Sequence, residues 1–382
     1  MPPAPRLKQA AKNALLTVPS YRSRRDDVFF SVVGDRYADN PRAIAEELRR
    51  RGDGRRQVWA VTDPKTPLPP GVVGVLRGTR ECVEAMQRAR YVVANAQMAP
   101  YYRKRRGSVY LQTWHGTPYK RIGRDLPREL TAERRETLRT FRRDALQWDL
   151  LVSQNAYSTP IFRRAFGYDG PVVETGYPRN DDLVGPEAET RRARARSALG
   201  VGDSRVVLYA PTFRDHQFDD AGRPTFRLEL GIEELVTRLG DGWVLLLRLH
   251  PFVSGLLDRR VGDQVIDVSE HADIADLYLA ADVMVTDYSS AMFDFTVTRK
   301  PVVFYAYDYD DYRSTTRGVY FDLEEVAPGP VVRTADALAD SLLDLGRVEA
   351  RHAAAYERFA ERFLSLDDGR AAGRVVDAVF GG

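Results

Sequence analysis

Two histidines and a pair of serines carry most of the chemistry this 382-residue chain offers. His115 lies in Gln112-Thr113-Trp114-His115-Gly116-Thr117-Pro118, and His250 in Leu247-Arg248-Leu249-His250-Pro251. Each follows a short apolar run and precedes a residue that ends a strand, Gly116 or Pro251. Each imidazole therefore belongs at a strand's carboxyl end, just outside a sheet. An imidazole, with an ordinary pKa of about 6.5, takes up a proton near neutrality, which is what a general base must do. A histidine in a loop is more often structural, but the same arrangement in each half of the chain favours a shared function over accident. Arg248 alternates with His250, and either could hold phosphate oxygens.

The serines follow a β-branched run, Val283-Met284-Val285-Thr286, and the turn Asp287-Tyr288-Ser289-Ser290, after which apolar residues recur at helical spacing through Phe295. A strand passing through hydroxyl residues into a helix leaves unpaired N–H groups and a positive dipole end at the sheet's carboxyl edge. Open parallel sheets bind ligands at that edge. The pattern places Ser289 and Ser290 under the diphosphate of a nucleotide-activated substrate; taken alone, such a turn is more often an ordinary helix N-cap.

Further polar clusters follow other strands. Thr117 with Pro118 fixes the turn after His115, Arg179 lies in Thr175–Asp181, and Thr212 lies in Tyr209–Asp215. His271 precedes Asp273, a helix-cap candidate. Arg313 and Arg317 flank Thr315 and Thr316 in a loop with Tyr305, Tyr307, Tyr309 and Tyr312, whose rings could stack on a base or simply pack. There is no His-x-x-x-His pair, and the carboxylate cluster Asp308, Asp310 and Asp311 reads as surface loop, so no metal is expected. GxGxxG after a strand, a Walker loop and a GxSxG elbow are all missing, which argues against dehydrogenases, P-loop kinases and α/β-hydrolases.

The elements that must position these residues alternate. Strands are predicted at 27–33, 57–61, 72–76, 91–95, 108–114, 150–153 and 172–174, with helices at 41–51, 81–90, 131–146 and up to Phe166. Asn40 is the expected N-cap of the first helix, with Pro41 at its first position. After a charged, Ala-rich stretch at 186–202 a second series begins, with strands at 205–210, 243–249, 264–267, 282–286 and 301–305 and helices at about 229–239, 272–280 and 289–297. Residues 335–380 read as helical. This alternation predicts an α/β protein of two Rossmann-like, doubly wound domains facing one another across a cleft. The expected divisions are a basic amphipathic segment at 1–25, a first Rossmann-like domain at 26–185, a second at 186–345, and C-terminal helices at 346–382 that could cross back to the first domain.

Composition bounds the class. The single cysteine, Cys82, excludes an internal disulfide framework and fits a reducing compartment. No run approaches the roughly 18 apolar residues of a spanning helix, and no signal-peptide pattern opens the chain. A net charge of +3 does not imply a general polyanion binder, and no nucleic-acid partner is expected. Basic residues are nonetheless concentrated from Arg103 to Arg143, as a face for anionic lipid or polymer or as a solvated helix face. Arg6, Lys8, Lys12, Arg22, Arg24 and Arg25, with apolar residues between, make 1–25 compatible with a membrane surface.

Taken together, Trp114-His115-Gly116-Thr117-Pro118 with Lys120, Ser153-Gln154-Asn155, Gly176 to Asp181, Tyr209 to Thr212, Arg248 to Pro251, and Thr286 to Ser290 with Phe293-Asp294 resemble the CDP-glycerol glycerophosphotransferase family of teichoic acid primases, polymerases and related capsule enzymes. Tyr37 to Pro41 and Arg317-Gly318 extend the match, which runs in one order over about 26–345. The resemblance implies a glycosyltransferase-B-like fold, with the domain at 26–185 acceptor-side and the domain at 186–345 donor-binding. It also implies transfer of glycerol phosphate or ribitol phosphate from a CDP-polyol to a hydroxyl of a lipid-linked or polymer acceptor, with release of CMP. It places the chain in the cytoplasm, peripheral on the inner face of the bacterial plasma membrane, with 1–25 as the whole membrane contact. In that scheme His115 is the base. His250, Arg248, Ser289, Ser290 and, secondarily, Arg179 and Arg317 meet the phosphates, with Asp287, Thr117, Thr212 and His271 completing the substrate-binding set. No cofactor or divalent metal is required. The alternatives are a CDP-ribitol transferase and a nucleotide-sugar glycosyltransferase on the same architecture; a non-enzymatic binder of anionic polymer or lipid through the 103–143 region ranks below them.

Overall fold

The computed structural model describes residues 23–127, 132–212, 229–249, 264–315 and 318–381. The chain forms two compact units, residues 1–115, 123–181 and 370–382 in the first and 116–122 and 182–369 in the second.

The first unit is built on a seven-stranded parallel sheet: β1 (Arg25–Ser31), β2 (Arg56–Val61), β3 (Val73–Leu76), β4 (Ala89–Ala94), β5 (Val109–Gln112), β6 (Leu150–Ser153) and β7 (Val172–Glu174). Their order is β3-β2-β1-β4-β5-β6-β7. In β1 the run Asp27–Ser31 is buried throughout, as expected of a strand covered on both faces, and Phe29 lies opposite Val58 of β2 and Val92 of β4. Phe30 stacks on Trp59 at 4.8 Å between ring centres. The C-terminal helix Ala371–Phe380 belongs to this core: Val375, Val376 and Phe380 pack with Val28, Phe30 and Tyr91. Its first turn is capped by Asp181, whose carboxylate accepts from the N–H groups of Ala371 and Ala372 at 2.9 and 2.8 Å.

The second unit has a six-stranded parallel sheet of β8 (Arg205–Tyr209), β9 (Trp243–Leu247), β10 (Val265–Asp267), β11 (Val283–Thr286), β12 (Val302–Tyr305) and β13 (Val331–Val332), ordered β10-β9-β8-β11-β12-β13. Both sheets thus run outward in both directions from a central pair, β1/β4 and β8/β11. In open parallel sheets, ligands bind where the winding reverses, beyond the strands' carboxyl ends.

Two segments fall outside the contiguous division the sequence suggests. Residues 116–122 leave the first unit, because Tyr119 is buried against Phe321 (5.0 Å) and the strand-like stretch around Lys120 pairs antiparallel with Val319. Residues 346–369 stay in the second unit and do not cross back. Phe359 and Phe363 of the helix Leu345–Phe363 pack on Phe293 (5.4 and 5.0 Å), and the Tyr356 hydroxyl donates to the carbonyls of Thr296 and Lys300. Only 370–382 joins the first unit. The expected N-cap at Asn40 is also revised. The helix runs Asp39–Arg50, the carboxylate of Asp39 accepts from the Asn40 N–H at 2.6 Å, and Asn40 is wholly buried inside the first turn.

Candidate functional site

In the first unit the chemistry converges on His115, three residues beyond β5. The turn that carries it is strained: Trp114 has φ +53°, a left-handed conformation that a bulky residue adopts only when its surroundings hold it there. They do so on every side. The Gln112 side-chain oxygen accepts from the Trp114 N–H at 2.9 Å, the Asn40 amide donates to the Trp114 carbonyl at 3.2 Å, and the Thr113 hydroxyl donates to the same carbonyl at 3.1 Å. The indole packs on Phe166 (4.7 Å), Phe141 (5.9 Å) and Phe162 (6.3 Å).

The imidazole lies 4.1 Å from the indole, and its Nδ1 is 2.6 Å from the Asn95 carbonyl. A carbonyl only accepts, so Nδ1 carries the proton and Nε2 keeps a lone pair. Burial pushes the His115 pKa below its ordinary value; the Asn95 carbonyl and Asp39 oppose this, and Arg179 adds to it. The ring is therefore neutral at pH 7 and able to accept a proton at Nε2. Asn95 follows β4 at the point where the winding reverses, and its side-chain oxygen accepts from Val33 N–H at 2.9 Å, joining the loops after β1 and β4. Arg179 belongs to this unit. Its Nη1 donates to Asp39 (3.0 Å) and to the His115 carbonyl (3.1 Å), while its backbone N–H donates to Asn40 Oδ1 at 3.1 Å.

In the second unit the carboxyl ends of β8 and β11 bring together residues that stand far apart in the chain. Asp287, 2 % exposed, accepts from the backbone N–H groups of Thr212 (2.9 Å) and Tyr288 (2.5 Å), and the Thr286 hydroxyl donates to the Ala210 carbonyl at 2.8 Å. Asp287 therefore organises the two loops and reads as a positioning residue. Ser289 and Ser290 are half-buried at the start of a helix that is shorter than expected, Ala291–Thr296, and Ser289 Oγ accepts from the Ala291 N–H at 3.2 Å. Accepting that bond leaves its hydroxyl proton able to donate outward. Thr117, buried, and Gly116 also belong to this unit, with Gly116 directly beside Ser290.

Arg248 and His271 meet at the ends of β9 and β10. Arg248 Nη1 donates to the carbonyls of Val268 (2.6 Å) and His271 (2.7 Å), so part of its guanidinium braces that loop. His271 Nε2 lies 3.3 Å from Asp276. Burial acts to raise the Asp276 pKa, but His271 and Arg191 together hold it below the ordinary carboxylate range. His250 and Arg317 lie outside the described residues. The tyrosines considered for base stacking are packed into their own unit instead: Tyr312 stacks on Tyr288 at 3.7 Å, and the Tyr288 hydroxyl donates to Asp308 at 3.0 Å. Among the described residues no group of His, Cys, Asp or Glu side chains is placed to hold a metal ion, and no helix is long and apolar enough to cross a membrane.

Asn40 and Asn95 escape a reading by sequence. Asn40 looks like a cap, and Asn95 like a strand end. The available signal is the position of Asn95 at the carboxyl end of a central strand, where ligand-side residues accumulate.

Two parallel sheets, each reversing its winding at a central strand pair, give the chain a glycosyltransferase-B-like fold. The chain belongs to the CDP-Glycerol:Poly(glycerophosphate) glycerophosphotransferase family, whose model matches residues 15–381. It is 38% identical over 359 residues to the teichoic acid glycerol-phosphate transferase of Staphylococcus aureus, covering 92% of both chains. It is 36% identical over 362 residues to the teichoic acid poly(glycerol phosphate) polymerase of Staphylococcus epidermidis, covering 92% of this chain and 50% of that one, so the chain spans about half the polymerase's length. Among solved structures, the wall teichoic acid polymerase TagF superposes with a TM-score of 0.90 at 34% identity, over 98% of this chain and 93% of that one. That polymerase has also been solved as a histidine-to-asparagine variant soaked with CDPG.

Proposed function

We propose that this protein transfers glycerol phosphate from CDP-glycerol to a hydroxyl of a teichoic-acid-type acceptor and releases CMP. The observation that carries the reading is the state of His115: a neutral imidazole, its Nδ1–H fixed on a carbonyl and its Nε2 left as a base, on a turn held in a strained conformation. Nε2 removes the acceptor proton as the acceptor oxygen attacks the phosphorus that bears glycerol. The new O–P bond forms as the P–O bond of the diphosphate bridge breaks in line, and CMP leaves with the bridging oxygen. Ser289 and Ser290 donate hydrogen bonds to the diphosphate beyond the carboxyl ends of β8 and β11, and Thr212 and Thr117 contribute further hydroxyls. Arg248 and His250 neutralise the charge that grows on the leaving phosphate, with Arg179, Arg317 and His271 in supporting roles. The relatives named above, both glycerol-phosphate proteins, support the choice of polyol.

The test is turnover of a CDP-polyol panel with CMP as readout. CDP-glycerol should be consumed in preference to CDP-ribitol and to UDP-sugars, and His115→Ala should lower the rate by about 10²–10⁴-fold with CDP-glycerol affinity retained. Full activity in that variant removes His115 from the chemistry. The reading gives charge neutralisation to protein groups, so turnover should withstand EDTA; loss that magnesium restores would overturn that part.

We also place the protein peripherally on the cytoplasmic face of a bacterial membrane, through the basic segment 1–25. Support comes from the charge pattern of that segment and from the helix Ala132–Ala145, where Arg135, Arg139, Arg142 and Arg143 precede Leu146, which is 77% exposed. Co-sedimentation with anionic but not neutral vesicles, lost on deleting 1–25, is the expected result; indifference to lipid charge would refute it.

A further inference from the structure

The segment Gly116–Ile122 follows His115 directly, yet it is built into the second unit. The Arg121 N–H donates to the Gly318 carbonyl at 2.9 Å, the Tyr320 N–H donates to the Tyr119 carbonyl at 2.8 Å, and the Tyr320 hydroxyl accepts from the Ile122 N–H at 3.3 Å. Tyr119 is 2% exposed, and Lys120 Nζ lies 5.7 Å from the centre of the Tyr312 ring, which is itself stacked on Tyr288. Tyr288 immediately precedes Ser289 and Ser290. The segment thus forms a wall of the serine turn, fixed at its far end by backbone pairing and along its side by aromatic packing.

At the near end of that wall stands Gly116. Its backbone is not among the positive-φ glycines, so nothing in its conformation requires a residue without Cβ. What requires it is space. A Cβ at position 116 would stand 2.9 Å from Ser290 Oγ and 3.3 Å from Ser290 Cβ, the first closer than real Cβ contacts come. The hydroxyl occupies the volume a side chain at 116 would fill, and only a glycine lets it keep its rotamer.

We propose that Gly116 is a positioning residue for the donor diphosphate: its bare backbone sets the direction of the Ser290 hydroxyl. This rests on the reading of Ser290 as a diphosphate ligand. It assigns Gly116 to the donor side of the reaction, although its covalent neighbour His115 is the base. The glycine acts through Ser290 and not through the flexibility of the turn, which has a measurable consequence. For donor binding, a methyl group at 116 is harmful through the hydroxyl it displaces; the 3.3 Å contact with Cβ of residue 290, which Ser290→Ala keeps, asks only for a shift of a few tenths of an ångström.

The experiment is a double-mutant cycle on the full chain with Gly116→Ala, Ser290→Ala and the two combined, reading CDP-glycerol affinity by titration calorimetry, KM and kcat by CMP release, and Tm. Gly116→Ala should weaken CDP-glycerol binding about tenfold, raising KM more than it lowers kcat. In the Ser290→Ala background the same substitution should change affinity by less than about twofold. Equal losses in both backgrounds would overturn the proposal, as would unchanged affinity in Gly116→Ala. Ser290→Ala binding as tightly as the parent would instead remove Ser290 from the donor site, and with it the reading on which the proposal stands. If Gly116→Ala fails to fold, recovery of folding in the combined variant supports the size argument, and failure of both refutes it.

Discussion

Replacing Asn40 by alanine should disable the protein at a distance from its base. Asn40 touches no reacting atom, yet it ties three parts of the first unit together: its own helix, the Trp114 carbonyl through Nδ2 and the Arg179 N–H through Oδ1. The Trp114 carbonyl keeps the Thr113 hydroxyl as a partner, so losing Nδ2 forfeits only the net value of one hydrogen bond, about 1 kcal/mol. The Arg179 N–H loses its acceptor in a part-buried position, which costs about 1–2 kcal/mol. The expected loss of unfolding free energy is therefore about 2–3 kcal/mol, read by urea denaturation. The consequence for activity follows from the strain at Trp114. A bulky residue at positive φ stores about 1–3 kcal/mol, comparable to what the Asn40 bonds contribute, so the turn relaxes once they are gone. His115 is the next residue, and a displacement of about 1 Å in a catalytic group lowers rates by about 10²-fold. CMP release should fall by that order while CDP-glycerol affinity stays as it was. A loss below about 0.5 kcal/mol would show that the bonds do not hold the turn. A loss of the expected size with full turnover would show that the strained turn is not used.

Two further outcomes follow from titrating groups. Burial holds the His115 pKa below its ordinary value, so the imidazole stays neutral as pH falls to 6.5; the acid limb of kcat/KM should lie below pH 6.5, and a midpoint above it would show that burial does not outweigh the Asn95 carbonyl and Asp39 at this ring. Asp144 is 3% exposed, and burial pushes its carboxyl up to about 6, against hydrogen bonds donated by Trp148 Nε1 (3.0 Å), the Tyr110 hydroxyl (3.0 Å) and the Met98 N–H (3.3 Å). The folded state then binds the proton more tightly than the unfolded chain. This group's contribution to stability should rise as pH falls from about 6 to about 4, by up to about 3 kcal/mol. Denaturation curves of the parent and of Asp144→Asn across that range should diverge; parallel curves would show that Asp144 does not titrate there.

The strands were legible from sequence because their signal is local. The run Val283-Met284-Val285-Thr286 must be buried on both faces wherever it sits, and it forms β11 at 283–286 against an expected 282–286. The same holds for Arg205–Tyr209 and Val302–Tyr305. His115 was legible too, since a histidine between a strand and a glycine turn has few places to go. Helix starts were less so. Asn40 has the residue type of a cap, but it lies inside the helix, and its amide is used on Trp114, 74 positions away, and on Arg179.

What the order of residues determined by itself was the alternation of buried strands with amphipathic helices, and hence two parallel sheets, together with the residue types that sit at their carboxyl ends. Periodicity and turn chemistry act over a few residues, and they suffice for that. Only the tertiary structure decided that Gly116–Ile122 leaves the unit of His115, that Leu345–Phe363 stays with the second unit while Ala371–Phe380 completes the first, and that Gly116 lies against Ser290. Each of these depends on which apolar surface a segment covers, Tyr119 on Phe321 or Phe380 on Tyr91. That choice is made among surfaces distant in sequence, by the free energy of burying them, and no local pattern encodes it.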